Sequence, residues 1–410
     1  MGKKDVKIKI VKPRIPKRVI CSICGMRQTF RKEKEHWKIV KDIDVNITLL
    51  LRVKMVYAKC LNPDCAVGSF ALPIPGIKKW ARATDRLKSE AVASLIDDNS
   101  TTPRTARRLN RSFNTTGSKS SIDRWKHQEA DKYQSKEIIE KLNFSGILCV
   151  DEYKPSRAKS YDLIDSDGET GRILYVTPIE YLGRGLIKEH FLKLKSLGIN
   201  PQVIIFDMRK VFPNAARKAF PGVLIQHDYF HVMKTIHWHL RNAMAEFRKK
   251  LKEKGFYTQD LWECRWIILK NLENWTSEDH KIMQRLLNIY SGTVIEDILV
   301  IKEQIRDIFL KSQYKKEAYL RRDELSSNPI LKQNQHFDNI FKFLSTPYFE
   351  YMVTFLEHPQ VPRSGNSENV IRVWRQMEKV RYGFKTAKGR LDHLKLYQIS
   401  KYLEGNFFKT

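Results

Sequence analysis

Two short apolar runs that each end in an aspartate place the strongest constraint on the fold of this chain. "GILCVD" ends at Asp151, and "VIIFD" ends at Asp207. Short apolar runs of this kind are typical of strands that are buried on both faces. If the two strands are neighbours in an open sheet, their carboxylates converge at the edge where such sheets bind ligands.

Two neighbouring carboxylates repel each other, so a pair at Asp151 and Asp207 is costly unless a cation lies between them. Oxygen ligands of this kind suit Mg²⁺ or Mn²⁺. The alternative is that each aspartate caps the turn or helix after its strand, which is common for this residue type. Because the pattern occurs twice in a strongly basic chain, we favour the metal site.

The charge of the chain indicates a polyanionic partner. Its 410 residues include 75 Lys and Arg against 46 Asp and Glu, which gives a net charge of +29. This balance favours DNA, with an acidic membrane surface as the alternative. The sequence has no apolar run long enough to span a bilayer, no lipidation signal and no secretory signal. We therefore expect no membrane partner and a cytoplasmic protein that associates with the nucleoid when it binds DNA.

Changes in sequence pattern divide the chain into segments. The pattern within residues 140–250 predicts an α/β core in the order strand, strand, strand, helix, strand, helix, strand, helix. This is the order of ribonuclease-H-like domains. The expected fold class is therefore multidomain, with α+β and α/β parts. The predicted segments are a mobile basic arm at 1–20, a zinc ribbon at 21–78, a helix-turn-helix domain at 79–135, the first part of the ribonuclease-H-like core at 140–250, an all-helical insertion at 251–357 and the last part of the core at 358–405.

Four of the six cysteines indicate a structural zinc site. They lie in the motifs "CSIC" and "CLNPDC": Cys21, Cys24, Cys60 and Cys65. Each motif is short enough to bind one Zn²⁺ within a tetrahedron of four thiolates. Between them, every odd position from Ile43 to Tyr57 is apolar, which predicts one bent strand or two. A small β structure has little core of its own, so zinc would stabilise it. The alternative is four reduced cysteines without a metal.

The segment after the cysteines predicts a helix-turn-helix domain. Two short helices are followed by a turn at Gly117 and a basic third helix. Thr102 is the expected N-cap of the second helix, with Pro103 at its first position. The alternative is a plain helical spacer between domains. In a helix-turn-helix domain, the basic residues of the third helix would face DNA: Lys119, Arg124 and Lys126.

Three segments of the chain resemble bacterial insertion-sequence transposases of the DDE type, the ISL-three group in particular. In that family an Asp-Met pair follows a strand, and an Asp-x-Phe-His-Val-x-Lys segment lies about twenty residues further on. A Ser-Asn-x-x-Glu segment leads to a Tyr-Gly-Phe-like element. The corresponding segments here are "DMRKVFPNAARKAFPGVLIQHDYFHVMK", "WIILKNLENWTSED" and "SGNSENVIRVWRQMEKVRYGF". With the early cysteines and the helix-turn-helix pattern, the resemblance covers most of residues 21–400.

The resemblance implies that Asp151 and Asp207 are the first two catalytic acids and that Glu368 is the third. The long gap before Glu368 fits a helical insertion within the catalytic domain. The family often has Gly soon after this Glu, where this chain has Asn369. Glu378, ten positions on in the same predicted helix, is the fallback candidate.

Glu368 shares a predicted helix face with three cations: Arg372, Arg375 and Lys379. Such a face is commonly a solvated ladder of charges. Beside a metal site, the cations would instead lie along DNA phosphates, and the resemblance favours this second reading. Asp228 and His231 match the family's Asp-x-Phe-His segment, and we expect them to support the metal ligands or to pack near them. Glu152 is expected on the face of its strand opposite to Asp151.

Together these features predict the DNA transposase of an insertion sequence. It would bind terminal inverted repeats and target DNA, and would cut and join DNA with two Mg²⁺ or Mn²⁺ ions. The resemblance implies a homodimer in the DNA complex, so that both ends are held together. One alternative is a catalytically silent DNA-binding regulator derived from a transposase. Another is a structure-selective nuclease with a ribonuclease-H-like fold, which would cleave branched DNA without joining ends.

Overall fold

The computed structural model describes residues 6–44, 47–115, 117–155, 160–381 and 383–403. Within these ranges the chain forms a mixed α/β structure of 16 α-helices and 11 strands, which are arranged in three sheets. It divides into two compact units, called here the first and the second unit. The first unit contains Met1–Leu142, Pro155–Ala158 and Val373–Thr410, and the second contains Asn143–Lys154 and Lys159–Arg372.

The first unit begins with β structure. Its six strands are β1 (Val6–Val11), β2 (Arg18–Ile20), β3 (Arg27–Thr29), β4 (Lys32–Lys41), β5 (Thr48–Lys59) and β6 (Ser69–Ala71). β5 pairs in parallel with β1 and antiparallel with β4 and β6, while β2 and β3 form a separate antiparallel pair. Alternate side chains of β5, including Leu51 and Val53, are buried, as its period-two pattern predicts.

One feature of this β structure differs from the expectations. Residues 6–11 of the predicted mobile arm form β1, because β5 offers a partner for their backbone groups; residues 1–5 lie outside the described part of the chain. The apolar alternation from Ile43, predicted as one bent strand or two, is interrupted before β5, where Asp44 and Ile47 bridge each other in antiparallel fashion. Val45, which belongs to that alternation, also lies outside the described part.

Five helices complete the first unit: α1 (Asp85–Ile96), α2 (Thr102–Phe113), α3 (Lys119–Ala130), α4 (Ser135–Lys141) and α16 (Ala387–Tyr402). A common core joins Leu87, Leu109 and Ile122 of the first three helices to Leu396 of α16. The N-cap of α2 is Thr101, whose hydroxyl accepts a hydrogen bond from the Arg104 amide at 3.3 Å.

The expected N-cap at Thr102 is therefore one residue too late, and Pro103 occupies the second helical position. The C-cap of α2 is Asn114, whose φ of 46° is left-handed. The connection to α3 thus begins with an asparagine, a residue type that tolerates this conformation, and the expected turn residue Gly117 lies within the same connection.

The second unit is built on a five-stranded sheet in the order β11-β10-β7-β8-β9. β10 is parallel to β7 and β11, and β8 is antiparallel to β7 and β9. The predicted order of three strands, then helix, strand, helix, strand and helix is present. The elements are β7 (Ile147–Tyr153), β8 (Tyr161–Asp167), β9 (Ile173–Ile179), α5 (Arg184–Ser196), β10 (Val203–Phe206), α6 (Val211–Ala219), β11 (Leu224–His227) and α7 (Tyr229–Glu253).

The rest of the second unit is helical, and the described residues 251–357 contain no strand. A stripe of buried isoleucines along α10 packs with α7 and the neighbouring helices into one large core. The helices are α8 (Gln259–Leu269), α9 (Ser277–Tyr290), α10 (Val294–Leu310), α11 (Lys315–Ser327), α12 (Pro329–Lys332), α13 (Gln335–Leu344) and α14 (Phe349–Met352). α15 (Ser367–Arg381) follows, and the division between the units falls within it.

None of the helices in the described ranges combines the length and the apolar character that crossing a membrane requires.

Candidate active site and cysteine cluster

The register of two parallel strands brings Asp151 and Asp207 level with each other. β10 pairs with β7 through Val203–Ile147, Ile204–Leu148 and Ile205–Cys149. Continued by two residues, this register sets Asp207, directly after β10, beside Asp151 in β7. All four residues of β10 are buried, so the strand that carries Asp207 is held firmly in the sheet.

Arg209 connects Asp207 of the acidic pair to a third carboxylate, that of Glu152. Its Nε lies 2.6 Å from Glu152 Oε1 and 3.5 Å from Asp207 Oδ2. Glu152 was expected to point away from Asp151, but Arg209 lies between it and Asp207. The reason is that β7 is near its end here, where the long side chain of Arg209, in the loop after β10, can bridge neighbouring positions.

Burial shapes the ionisation of these acids. Desolvation raises the pKa of Glu152 to about 8, and the nearby Asp207 carboxylate adds to the rise while Arg209 opposes it. Desolvation also raises the pKa of Asp207, against the lowering effect of Arg209. Burial is the largest cause of both shifts, so each of these carboxyls favours its protonated form more than a solvated acid does.

His231 and Asp228 lie on the side of α7 that faces this cluster. His231 Nε2 is 3.7 Å from Asp151 Oδ2. Burial opposes its protonation, but Asp151 outweighs that effect, so the pKa of His231 is raised. Asp228 is the N-cap of α7 and accepts a hydrogen bond from the Phe230 amide at 2.9 Å. Its pKa is raised by burial. His231 therefore lies beside Asp151, and the supporting roles expected of His231 and Asp228 stay predictions.

The segment before Glu368 is fastened to the sheet. A Cβ built on Gly365 would lie 2.6 Å from the Sγ of Cys149, two residues before Asp151. Asn366 donates a hydrogen bond from Nδ2 to the Gly168 carbonyl at 2.8 Å. Only glycine permits so close an approach to β7. The start of α15, which carries Glu368 in its first turn, is therefore fixed against the core of the second unit.

Glu368 and Asp228 line the same cavity, which has a volume of about 390 Å³. Ser364 and Gly365 form part of its wall. Glu368 is exposed, whereas the fallback candidate Glu378 is buried in the first unit. Of the two glutamates, Glu368 is the one that faces a cavity beside the acidic cluster. Tyr382, in the Tyr-Gly-Phe-like element, lies outside the described residues.

The acids suit divalent cations in their chemistry. Asp151, Asp207 and Glu368 offer hard oxygen donors, and the raised pKa of Asp207 indicates charge that a cation would relieve. The carboxylate oxygens of these three residues do not all lie within 4.8 Å of one another; among the described residues only the cysteines form so tight a group. Arg209 lies beside Glu152 and Asp207, and His231 lies beside Asp151. The roles of the three acids remain predictions.

The four early cysteines form one compact cluster with a ligand atom of each within 4.8 Å of the others: Cys21, Cys24, Cys60 and Cys65. Sγ–Sγ distances are 3.9 Å for Cys21–Cys65 and 3.7 Å for Cys24–Cys60. Zn–S bonds of about 2.3 Å in a tetrahedron require sulfurs about 3.8 Å apart. The cluster is therefore compatible with a zinc ribbon and could hold one Zn²⁺.

The ionisation of the cluster fits a metal site as well. A backbone hydrogen bond from Met26 lowers the pKa of Cys24 to about 6. The pKa of Cys60 is raised to about 12 in spite of the backbone hydrogen bond at Asn62, because burial and the other three sulfurs oppose a second negative charge. A cation at the centre would remove that mutual opposition.

The residues predicted to contact DNA differ in exposure. Lys119, Arg124, Arg372, Arg375 and Lys379 are exposed, as a contact with phosphates requires.

Lys126 does not fit the prediction. Only 12% of its side chain is exposed, its Nζ lies 3.4 Å from Asp123 Oδ1, and burial lowers its pKa. α16 packs against α3 and covers this position, which the local sequence of α3 does not reveal.

The sequence analysis missed a row of arginines on α2. Arg104, Arg107 and Arg111 are exposed, and Arg108 pairs with Glu90 at 3.2 Å and with Asp98. These arginines line a cavity of about 510 Å³. The spacing i, i+3, i+4 and i+7 in "RTARRLNR" puts them on one helix face, and this signal was available in the sequence.

Comparison with known proteins agrees with the resemblance. A model of the DDE transposase family of the ISL-three group, described as "Transposase", matches residues 148–389, more than half of the chain. No curated protein gives a significant match. Among solved structures, the chain is similar to one described as "Drosophila P element transposase strand transfer complex". The TM-score is 0.37, the identity is 10%, and 79% of this chain and 92% of that chain are covered; so low a TM-score carries no argument.

The fold and site therefore define a mixed α/β protein with a sheet-edge acidic cluster and a separate cysteine cluster. The chain belongs to the DDE transposase family of the ISL-three group.

Proposed function

We propose that this chain is a DNA-cutting and DNA-joining transposase that acts on the terminal inverted repeats of an insertion sequence. Its catalytic acids are Asp151, Asp207 and Glu368, within a ribonuclease-H-like core. The observation that carries the proposal is the shared register of β7 and β10, which sets Asp207 beside Asp151. The family membership and the basic charge of the chain support DNA as the substrate.

In this proposal the sheet positions the acids for metal binding. Asp151 and Asp207 would hold two divalent ions together with Glu368, which lies in the first turn of α15. Bound there, Mg²⁺ or Mn²⁺ would supply activation of the attacking oxygen and stabilisation of the leaving oxygen. The stiff strands matter because a metal tolerates only small errors in ligand position.

Residues around the acids have supporting roles in this scheme. His231 carries a raised pKa and lies 3.7 Å from Asp151, so it can hold that carboxylate in place. Arg209 pairs with Glu152 and lies near Asp207 before the metal binds, and its guanidinium can then turn to a DNA phosphate.

The first unit supplies DNA recognition. We propose a zinc ribbon held by the four clustered cysteines, followed by a helix-turn-helix domain of α1, α2 and α3. Lys119 and Arg124 on α3 contact DNA, and the arginine row of α2 contacts phosphates. A homodimer in the DNA complex would hold both element ends and the target DNA.

A cleavage assay tests the catalytic assignment. Purified protein is incubated with Mg²⁺ and a labelled terminal-repeat duplex, and nicking and strand transfer are measured. Asp151→Asn, Asp207→Asn and Glu368→Gln should each lower the rate by on the order of 100-fold or more, because each removes a ligand charge. Duplex binding should stay within about twofold.

Two further variants act as controls. Glu278→Gln removes an exposed glutamate at the start of α9 and should leave nicking unchanged. Glu378→Gln distinguishes between the two candidate glutamates. If Glu378→Gln lost nicking activity and Glu368→Gln did not, the assignment of Glu368 would be overturned.

The alternatives give different results in the same assay. A silent regulator would bind the terminal repeat without nicking it. A structure-selective nuclease would cleave branched DNA and never join ends.

A further inference from the structure

A basic groove in the first unit is larger than the cavity beside the acids. It lies between the segment 78–83, called here the Trp80 loop, and α3, and its volume is about 1230 Å³. No residue of the predicted catalytic set lines it. Its size is sufficient for a segment of a polymer and exceeds that of a typical small-molecule site.

The Trp80 loop is fixed to the sheet of the first unit. Lys38 Nζ, on β4, donates hydrogen bonds to the carbonyls of Lys78 at 3.0 Å, Lys79 at 2.8 Å and Ala81 at 3.2 Å. The Lys41 amide donates to the Arg82 carbonyl at 3.0 Å. One ammonium group that binds three carbonyls fixes the backbone conformation of the Trp80 loop. The positions of the loop side chains are therefore fixed by the structure.

Trp80 is 81% exposed on this fixed loop, the largest exposed fraction among the large apolar side chains that the structure describes. The Lys79 ammonium lies 4.9 Å from the centre of its ring, which leaves an aromatic surface next to positive charge. Tryptophan is enriched at binding surfaces, because it combines a large apolar ring with a polar N–H group. A flat, π-rich ligand group is the matching partner.

The groove around Trp80 is positively charged. Its lining includes seven basic side chains: Lys41, Lys78, Lys79, Arg82, Lys88, Arg124 and Lys132. Among the described lining residues the single carboxylate is Asp131, and it is paired with Lys388 at 2.7 Å. A positive groove with an exposed aromatic ring is the combination that binds single-stranded nucleic acid.

We propose that the Trp80 groove binds a single-stranded segment of DNA, with Trp80 stacked on an unpaired base and the surrounding lysines and arginines along its phosphates. Bases inside a duplex present only their edges, so a stacking ring needs a base that has left its pair. The inference rests on the proposed DNA-binding function of the first unit. It adds that this unit distinguishes DNA with an unpaired strand, such as a frayed or nicked end, from a closed duplex.

Binding of the full-length protein to three labelled DNAs tests the proposal: a blunt duplex, the same duplex with an unpaired 3′ extension, and the single strand alone. Trp80→Ala should weaken binding to the single strand and to the extended duplex by about 5- to 150-fold, the loss that corresponds to one stacked base. Trp80→Phe should restore most of the affinity, because phenylalanine also stacks. Affinity for the blunt duplex should change less than about twofold.

Two control variants test whether the effect of Trp80→Ala is specific to the Trp80 groove. Trp266→Ala removes another exposed tryptophan, 61% exposed on α8, and should leave the preference for unpaired DNA intact. Arg82→Ala should weaken binding to the single strand and to the extended duplex and lower the salt dependence of both, because it removes a phosphate contact in the groove. Unchanged thermal unfolding of Trp80→Ala verifies that the loop variant is folded.

The other possible outcomes would overturn either base stacking at Trp80 or the proposed DNA-binding function. Equal losses on the blunt duplex and on the single strand would overturn base stacking, and so would no loss on any DNA. If the wild-type protein binds none of the three DNAs, the proposed DNA-binding function itself fails, which is a separate result.

Discussion

At the scale of single residues, the contact between Gly365 and Cys149 governs where Glu368 can lie. An added Cβ at Gly365 would meet Cys149 Sγ at 2.6 Å, and a buried sulfur in the middle of β7 has little room to move. Gly365→Ala should push the start of α15 away from the sheet. We expect a destabilisation of about 1–3 kcal/mol from overpacking, and a loss of nicking activity larger than that of duplex binding.

The double variant Gly365→Ala with Cys149→Ala provides the matched control. Removal of the sulfur leaves contacts of 3.3 Å, to Cys149 Cβ and Ser367 Oγ, which small shifts can accommodate. Stability by urea unfolding and nicking rate should both recover in the double variant. If the double variant is no better than Gly365→Ala, steric contact with Cys149 is not the reason for this glycine.

Some of these residues were accessible from the sequence and others were not. Asp151 and Asp207 could be singled out because the apolar runs before them reveal both burial and strand direction. The position of Glu152 could not be predicted, because it depends on a contact with Arg209, which lies in the loop after β10. The burial of Lys126 results from α16, about 260 positions later in the chain, and no local pattern reports such a contact.

At the scale of secondary-structure elements, α16 carries a buried histidine that makes the stability of the first unit depend on pH. His393 is 1% exposed, and its ring lies 5.4 Å from that of Phe384. Burial lowers the pKa of His393 well below its usual value, and the charges of Arg381 and Lys126 add to the effect. The folded protein therefore keeps this imidazole neutral.

The sign of the pH effect follows from the lowered pKa. The unfolded chain protonates this histidine near pH 6.5, whereas the folded chain does not. Stability is therefore complete above about pH 6.5 and falls as the pH decreases below it, by up to about 1.4 kcal/mol per pH unit.

The variant His393→Gln isolates this contribution, because other buried histidines titrate in both proteins. It should be less stable than the wild type at neutral pH, with a shallower loss of stability on acidification. Urea unfolding near pH 7.5 and near pH 5.5 measures both slopes. Parallel slopes for the two proteins would contradict the assignment.

The order of the helices and strands could be predicted better than the residues at which they begin and end. The strand and helix order of the second unit agrees with the sequence pattern because buried strands and amphipathic helices have distinct periods. β1 escaped prediction because its side chains are mostly exposed, so its sequence carries no burial signal. Its structure comes from backbone pairing with β5, a partner about 40 residues away.

At the scale of the whole molecule, the cysteine cluster predicts that the first unit requires a metal for stability. We expect about one zinc per chain by elemental analysis. Removal by a chelator should lower the melting temperature and weaken duplex binding, because the small sheet around the cysteines has a limited core of its own. Cys24→Ser should have the same effect.

Cys264→Ser provides the control, because this cysteine lies in α8, outside the cluster. It should keep the zinc content, the melting temperature and the affinity for DNA. Protein that contains no zinc when purified with zinc in the buffer, and that melts normally, would contradict the metal-binding assignment.

The first unit is built from separate segments of the chain, and this affects how it folds during synthesis. Leu396 of α16 belongs to the same core as Leu87 and Ile122, which leave the ribosome far earlier. At ordinary rates of synthesis the early helices wait on the order of tens of seconds for α16, with part of their apolar surface uncovered. The core of the first unit is therefore completed only after α16 has been synthesised, and until then chaperones can bind the uncovered apolar surface.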